Sequence, residues 1–125
     1  MNAATRFPEF RFYFFTTKYD ETVAFYRDVL QLQVDRSWNR SDQHRGTVFT
    51  SPNGTGLIEV EQGGKLPQID GGFYIEVDDI QGWYDRVTAA GAMIKKSLGV
   101  TDYGHLNFKV VDPNGVEVGF FQCVS

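Results

Sequence analysis

The chain has 125 residues, of which 42% are apolar, 22% charged and 15% aromatic, and its formal net charge is −4. This composition is typical of one globular domain spanning residues 1–125 and excludes a largely disordered chain. Lys and Arg are scattered and no apolar stretch approaches the roughly 18 residues of a membrane span, so neither nucleic acid nor a membrane is an expected partner. The single cysteine, Cys123, indicates a reducing compartment, the cytoplasm.

The first half of the chain predicts a strand, a helix and three further strands. The aromatic run RFYFFTT at 11–17 is strand-like, and the apolar residues of ETVAFYRDVLQL at 21–32 recur at helical spacing. A short strand is predicted at 33–38. A Pro-Asn-Gly turn lies between 47–50 and 56–62, and Asn-Gly between alternating strands predicts a hairpin.

The second half repeats this order. GFYIEV at 72–77 predicts a strand, DDIQGWYDRVTAAG at 78–91 predicts a helix that stops at its last glycine, and 92–98 predicts a short strand. A second Pro-Asn-Gly turn lies between 105–111 and 116–122 and predicts another hairpin. The chain is therefore interpreted as one βαβββ module written twice.

Two tandem βαβββ modules, with FYRDVLQL in the first helix and DPNG before the last strand, resemble the vicinal oxygen chelate superfamily. This group contains glyoxalase I, the extradiol dioxygenases, fosfomycin-resistance transferases and the bleomycin-resistance proteins. The resemblance covers about residues 9–122, with module one at about 9–62, a linker at about 63–71 and module two at about 72–122. It implies an α+β fold of curved mixed sheets, a homodimer, and a pocket inside the curved sheets.

Side chains of a strand alternate between its two faces, so one parity of each predicted strand should pack on the helices. This parity is apolar and comprises Phe12, Phe14, Ile58, Val60, Phe73, Ile75, Val77, Val118 and Phe120. The opposite parity mixes aromatic rings with carboxylates, which is typical of a small-molecule pocket, although one face of an antiparallel sheet is often simply solvated. Its members are Arg11, Tyr13, Phe15, Leu57, Glu59, Glu61, Tyr74, Glu76, Glu117, Gly119 and Phe121.

The resemblance also bears on metal binding. Metal-dependent members use a His or Gln on the first strand and a Glu on the last strand of each module, and by motif these positions fall on Arg11, Glu59, Gly72 and Gly119. Only Glu59 has a donor for a metal, because a guanidinium offers no lone pair. No metal or other cofactor is therefore predicted, and the chain most resembles the metal-free, bleomycin-resistance-type members.

The two histidines, His44 and His105, hold equivalent places at the start of the third strand of each module. They are candidates for a metal pair outside the family's usual site, but His44 lies in the polar stretch NRSDQHRG at 39–46, so positions at an exposed rim are expected instead. The same stretch is a candidate for a flexible lid, although polar loops are more often ordinary surface.

Two functions follow from this interpretation. The first, resembling the bleomycin-resistance group, is a metal-free protein that holds an aromatic or amphipathic compound, including cationic ones, in a cup-shaped pocket with Trp38 at its mouth. The second is a glyoxalase-like lyase or isomerase, either metal-dependent or with Glu59 as a general base, unless Glu59 and Arg11 form a structural ion pair. The expected ligand-binding residues are Arg11, Tyr13, Phe15, Trp38, Leu57, Glu59, Tyr74, Glu76, Glu117 and Phe121.

Overall fold

The computed structural model describes residues 8–41 and 43–123, and these residues form two four-stranded sheets with a helical segment between the first two strands of each. The elements in chain order are β1 (Arg11–Thr16), α1 (Tyr19–Ala24) continuing as a π-helical turn (Phe25–Val29), β2 (Gln33–Ser41), β3 (His44–Thr50), β4 (Leu57–Gln62), β5 (Gly72–Glu76), α2 (Ile80–Ala89), β6 (Met93–Val100), β7 (His105–Val111) and β8 (Glu117–Cys123).

The two sheets have the same topology. Sheet 1 has the strand order β1-β4-β3-β2, and sheet 2 has the order β5-β8-β7-β6. In each sheet the two strands that begin and end the module pair in parallel, and the other neighbouring strands pair antiparallel. Strands β1 to β4 with α1 form module 1, and strands β5 to β8 with α2 form module 2. The predicted α+β fold of two βαβββ modules is therefore confirmed.

The first helix differs from the prediction of 21–32. It begins at Tyr19 and becomes π-helical over Phe25–Val29, where the N–H of Leu30 donates to the carbonyl five residues earlier at 3.0 Å. Gln31, with a φ of 58°, then ends the helix in the left-handed region. A helical hydrophobic pattern could not show this boundary, because a single widened turn changes the spacing only locally.

The second helix is shorter than the predicted 78–91. Asp79 caps it, since its carboxylate accepts a hydrogen bond from the N–H of Gly82 at 3.1 Å. Gly91, with a φ of 89°, follows its last turn as predicted. Trp83 is partly buried and its ring stacks on Phe120 of β8 with centroids 5.4 Å apart, so this tryptophan fastens α2 to sheet 2.

One hydrophobic core joins the two modules. The ring centroids of Phe12 in β1 and Phe73 in β5 lie 4.8 Å apart, and the ring centroids of Tyr26 and Phe73 lie 6.5 Å apart. All nine residues of the predicted helix-facing parity belong to this core or pack against it. Each fully buried ring such as Phe49 contributes roughly 1.5–3 kcal/mol to folding. Because this core contains rings of both modules, the modules stabilise each other.

The two Pro-Asn-Gly turns each bind the opposite module. Asn53 Nδ2 donates to the carbonyl of Glu76 at the end of β5 at 3.0 Å. In the reciprocal contact, Thr16 Oγ1 at the end of β1 donates to Asn114 Oδ1 at 2.6 Å. These turns therefore do more than close hairpins, because they hold each module against the first strand of the other.

The polar stretch 39–46, a candidate for either a flexible lid or ordinary surface, is mostly strand and not a loop. β2 continues to Ser41 and β3 begins at His44, so most of this polar stretch lies in an antiparallel hairpin with Asn39 opposite Arg45. Pairing satisfies the backbone N–H and C=O groups that a free loop would expose to water. Residue 42 of the stretch lies outside the described residues.

Within the described part of the chain, no helix is long and apolar enough to cross a bilayer.

Candidate functional site

Each sheet has one face turned away from the helices, called the open face below. In β1 the side chains alternate as expected, with Tyr13 and Phe15 exposed on the open face and Phe14 buried on the other. The rings of Tyr13 and Phe15 meet edge to face at 6.1 Å, and these side chains are 63% and 48% exposed. Two large aromatic rings exposed side by side make this face a candidate interaction surface.

An ion-pair network crosses the open face of sheet 1. Arg11 Nη1 donates to Glu59 Oε1 at 2.6 Å, and Arg11 Nε donates to Glu9 at 2.9 Å. Arg36 of β2 also donates to Glu9, at 2.8 Å. The hydrogen bonds from Arg11 and Arg36 lower the pKa of Glu9 to about 2. Glu59 is therefore engaged by a cation, which favours its role as a structural partner of Arg11 over that of a general base.

Glu61 is the second carboxylate on this open face, and the sequence analysis did not select it as a site residue. Burial, the adjacent Glu59 carboxylate and a hydrogen bond with it raise the pKa of Glu61 above its ordinary value of 4.5, while Arg11 and Arg40 oppose the shift. In the sheet register Glu61 lies between Phe15 and Gly46. The contact with Arg11 and the deeper burial of Glu59 distinguish these two carboxylates.

Trp38, predicted at the pocket mouth, does not line the cavities described below and lies instead in the β2–β3 hairpin. It pairs with Gly46 across the β2–β3 hairpin, and a Cβ at that glycine would overlap the indole ring. Gly46 is therefore required for the ring to lie flat on the sheet. The indole Nε1 is buried and has no hydrogen-bond partner among the described residues, and the guanidinium of Arg40 lies 5.8 Å from the ring centroid.

A cavity of about 320 Å³ lies between the two modules and brings together four of the predicted ligand-binding residues, Leu57, Tyr74, Glu76 and Phe121. Its volume and its apolar, aromatic lining with few polar groups match a site for a small organic molecule. The remaining lining residues were not predicted, because they come from turns and from the helix-facing parity of both modules. They are Phe10, Phe12, Ser51, Asn53, Thr55, Gly56, Ile58, Phe73 and Ile75.

The open face of sheet 2 contains a second ion pair. Lys109 Nζ lies 3.7 Å from Glu117 and 5.4 Å from the centroid of the Tyr74 ring. The ring of Tyr74 lies over Gly119, where a Cβ would overlap it. Lys109, which the sequence analysis missed, therefore neutralises Glu117. The parity of β7 identifies this residue, because the fully buried Phe108 beside it faces the helices.

Glu76 differs from the other two predicted carboxylates. Within the described residues, no Lys or Arg lies within ion-pair distance of Glu76, whereas Glu59 contacts Arg11 and Glu117 contacts Lys109. The thiol of the exposed Cys123 donates to Glu76, and this hydrogen bond raises the pKa of the thiol. Glu76 is thus a carboxylate without a cationic partner on the wall of an aromatic cavity.

The four positions that hold a metal in metal-dependent members of the family do not fit one here. Arg11 is bonded to Glu59 and offers no lone pair. A side chain at Gly72 would overlap the backbone of Glu117, and one at Gly119 would overlap the Tyr74 ring. In the part of the chain that the structure describes, no group of three or more His, Cys, Asp or Glu residues is suitably placed for a metal.

The two histidines are in different sheets. His44 begins β3 in sheet 1, where its Nε2 lies 3.5 Å from the Arg40 guanidinium, a cation that disfavours a metal at this ring. His105 begins β7 in sheet 2, where its ring stacks on Phe121 with centroids 5.7 Å apart. Each histidine therefore has a partner of its own within its module.

Comparison with known proteins agrees with this architecture. The chain is similar to the solved structures of TioX from Micromonospora sp. ML1 (19% identity, TM-score 0.74, covering 94% of this chain and 99% of that chain) and of a lactoylglutathione lyase from Agrobacterium tumefaciens (19% identity, TM-score 0.69, covering 92% of each). A superfamily member from Sphaerobacter thermophilus DSM 20745 has 15% identity and a TM-score of 0.76, covering 94% of this chain and 98% of that chain.

These identities support a shared fold and no more. Among curated protein sequences, none matches the chain significantly. The sequence profile of the Glyoxalase/Bleomycin resistance protein/Dioxygenase superfamily matches residues 10–120, which include every strand from β1 to β7 and most of β8. The chain belongs to the glyoxalase/bleomycin resistance protein/dioxygenase superfamily.

Proposed function

We propose that this protein binds a small aromatic or amphipathic organic molecule, with a positively charged group, in the cavity between its modules. The observation that carries the proposal is the position of Glu76, a carboxylate with no Lys or Arg partner among the described residues, on the wall of a cavity otherwise lined mainly by apolar and aromatic side chains. A carboxylate next to aromatic faces favours an organic cation over a neutral or anionic compound. No metal chemistry is part of this function, since the family's metal positions hold Arg11, Glu59, Gly72 and Gly119.

Further support comes from the chemistry of the site. It supplies no activated thiol, because the interaction with Glu76 raises the pKa of Cys123. The superfamily neighbours include TioX as well as a lactoylglutathione lyase, so the fold itself is compatible with more than one kind of function. We therefore favour a binding protein of the bleomycin-resistance type, which would act in the cytoplasm.

We also propose that the protein is a homodimer. Tyr13 and Phe15 are each about half exposed or more on the open face of sheet 1, and a second copy would remove these rings from water. The charged network on each open face would then be enclosed beside the ligand. This arrangement would complete a cup from two sheets.

The test is equilibrium binding of the fluorescent planar cation proflavine. The fluorescent anion anilinonaphthalene sulfonate is the comparison probe of opposite charge. We expect proflavine to bind wild-type protein and Glu76→Gln to weaken this binding about tenfold, equivalent to about 1.4 kcal/mol. Glu21→Gln, the same chemical change on the exposed surface of α1, is the matched control and should leave the affinity unchanged. Equal affinity of wild type and Glu76→Gln for proflavine would exclude the proposed role of Glu76.

A second candidate function, proton transfer by a carboxyl group, is favoured by the raised pKa of Glu61. In this function Glu61 takes the place of the expected general base Glu59, because the carboxylate of Glu59 is bound to Arg11. A group of carbonyl substrates, screened with wild type, Glu61→Gln and Glu59→Gln, tests this function. Turnover that depends on Glu61 would support the enzyme, and turnover that depends on an added divalent metal would contradict the metal-free assignment.

A further inference from the structure

A second, smaller cavity of about 200 Å³ on sheet 2 is lined by four aromatic side chains, Tyr74, Tyr103, His105 and Phe121. We call these four residues the aromatic cage. The rings of His105 and Phe121 are nearly parallel, with an interplanar angle of 13° and centroids 5.7 Å apart. Tyr103 stands perpendicular to His105 at 5.0 Å, and Tyr74 stands perpendicular to Phe121 at 6.0 Å. The cavity is therefore bounded by both ring faces and ring edges.

The backbone holds these rings in place. His105 and Phe121 lie on adjacent strands of sheet 2 with their side chains on the open face. Tyr103 lies in the β6–β7 turn, which is fixed because Thr101 Oγ1 accepts the N–H of His105 at 3.0 Å and the Thr101 N–H donates to the carbonyl of His105 at 2.7 Å. Gly104, with a φ of 87°, completes the turn.

Core packing does not explain Tyr103. Its side chain is 69% exposed, and among the described residues its ring contacts that of His105. Fixing a large aromatic side chain at the surface gains little from the hydrophobic effect, so its position on the wall of a cavity shared with three other aromatic side chains indicates a binding role. The sequence pattern does not select Tyr103, and it selects His105 only as a candidate metal ligand together with His44.

The charges around the cage favour a cation. Glu76 is directly opposite Phe121 in the β5–β8 register and has no Lys or Arg partner within the described residues. Two cations lie near the cage: Lys109, whose Nζ is 5.4 Å from the Tyr74 ring centroid and 3.7 Å from Glu117, and Lys96, whose Nζ donates to Asn107, the residue opposite Phe121 in the β7–β8 register. Glu117 thus balances Lys109, while the charge of Glu76 remains available to a ligand.

We propose that the aromatic cage is the subsite for a quaternary or alkylated ammonium group of the ligand. Such groups are recognised by the faces of several aromatic rings, often with a carboxylate close by, because the cation is attracted to the ring quadrupoles and carries few hydrogen-bond donors. The inference rests on the proposed function and extends it. Tyr74 and Phe121 line both cavities, so an ammonium group in the cage would leave the apolar part of the same molecule in the larger cavity.

Choline and its neutral carbon isostere, the alcohol in which a tert-butyl group replaces the trimethylammonium group, test the cage because they differ almost only in charge. Titrations followed by NMR should show upfield shifts of the choline methyl protons, caused by the ring currents, and about tenfold weaker binding of the isostere. Equal affinity for the two compounds, or choline binding without upfield shifts, would overturn the proposal.

Paired variants separate the rings from their polar groups. Tyr103→Ala should weaken choline binding several-fold, whereas Tyr103→Phe should stay within about twofold of wild type, because the ring and not the hydroxyl forms the cage. His105→Asn and His105→Phe form a second such pair. Tyr103 is exposed, so both of its variants should fold, as circular dichroism will verify. Equal losses in Tyr103→Ala and Tyr103→Phe would contradict a role for the ring.

Proflavine binding distinguishes failure of the cage from failure of the proposed function. If proflavine binds the wild type in a Glu76-dependent manner while choline and its isostere bind equally, the cage is refuted and the proposed function stands. If neither proflavine nor choline binds, both are refuted. If Tyr103→Ala loses choline binding but keeps proflavine binding, both the cage and the proposed function are supported.

Discussion

Arg11 Nη1 donates to Glu59 Oε1 at 2.6 Å, across the parallel pair of strands that opens and closes module 1. This contact separates the two uses of Glu59 that its sequence position allows. A carboxylate that accepts a short hydrogen bond from a guanidinium is already engaged, so it is a poor general base and a poor ligand for a metal. On sheet 1, Glu61 is therefore the candidate for proton transfer, and Glu76 is the candidate carboxylate for ligand binding.

Glu59→Gln should lower stability without affecting ligand binding. The variant loses a charge-assisted hydrogen bond to the partly exposed Arg11, and the free energy of unfolding should fall by about 1 kcal/mol. Urea unfolding measures this change, and proflavine titration measures binding, which should match the wild type. A variant that keeps its stability but loses the probe would instead place Glu59 in the binding site.

Glu61 should titrate above the ordinary glutamate value of 4.5. Its pKa is raised in the folded protein, so its contribution to stability is present below the unfolded-state pKa and is lost as the pH rises through the folded-state pKa. Glu61→Gln cannot ionise, and it should therefore be more stable relative to wild type at pH 7 than at pH 4. Urea unfolding at the two pH values provides the comparison.

NMR titration of the Glu61 side-chain carbon gives an independent measurement of the same group. In Glu59→Gln the neighbouring negative charge is removed and Arg11 is released, so the pKa of Glu61 should fall. Asp85→Asn, on the surface of α2, is the control and should leave the titration unchanged. A Glu61 titration that is the same in Glu59→Gln and wild type would rule out coupling between the two carboxylates.

Tyr26→Phe should destabilise the contact between the modules. The hydroxyl of Tyr26 in module 1 donates to Asp112 Oδ2 at 3.0 Å, and both residues are buried. Removing the hydroxyl leaves a buried carboxylate oxygen without this donor, which should cost about 1–3 kcal/mol in urea unfolding. Asp112→Ala should cost more, since it also removes the acceptor for the N–H groups of Asn114 and Val116. A smaller loss in Asp112→Ala than in Tyr26→Phe would contradict this ranking.

Tyr13→Arg should prevent dimerisation. The change places a charge among the exposed rings of the open face, where a second copy of the chain is proposed to dock. Sedimentation velocity should show a dimer for wild type and a monomer for the variant. Gln81→Arg, an exposed position on α2, should remain dimeric. A wild-type protein that sediments as a monomer at all accessible concentrations would exclude the homodimer.

The sequence by itself determined the fold, because its main signals are local and repeated. Alternating apolar residues, two Pro-Asn-Gly turns and two amphipathic segments occur in the same order twice, and strand parity follows directly from the two-residue period. These patterns correctly separated the buried Phe14 and Val60 from the outward-facing Tyr13 and Phe15. They did not give the π-helical turn before Leu30 or the extent of the β2–β3 hairpin, which depend on backbone pairing.

The tertiary structure alone decided which of these outward-facing side chains form a site. Sequence parity treats Glu59, Glu76 and Glu117 alike, but folding brings a cation to two of them and none of the described Lys or Arg residues to Glu76. Tyr103 carries no periodic signal, since it lies in the β6–β7 turn, and only the pairing of β7 with β8 brings Phe121 against the neighbouring His105. Charge pairing and ring packing act through space, between residues far apart in the chain, and no local pattern encodes them.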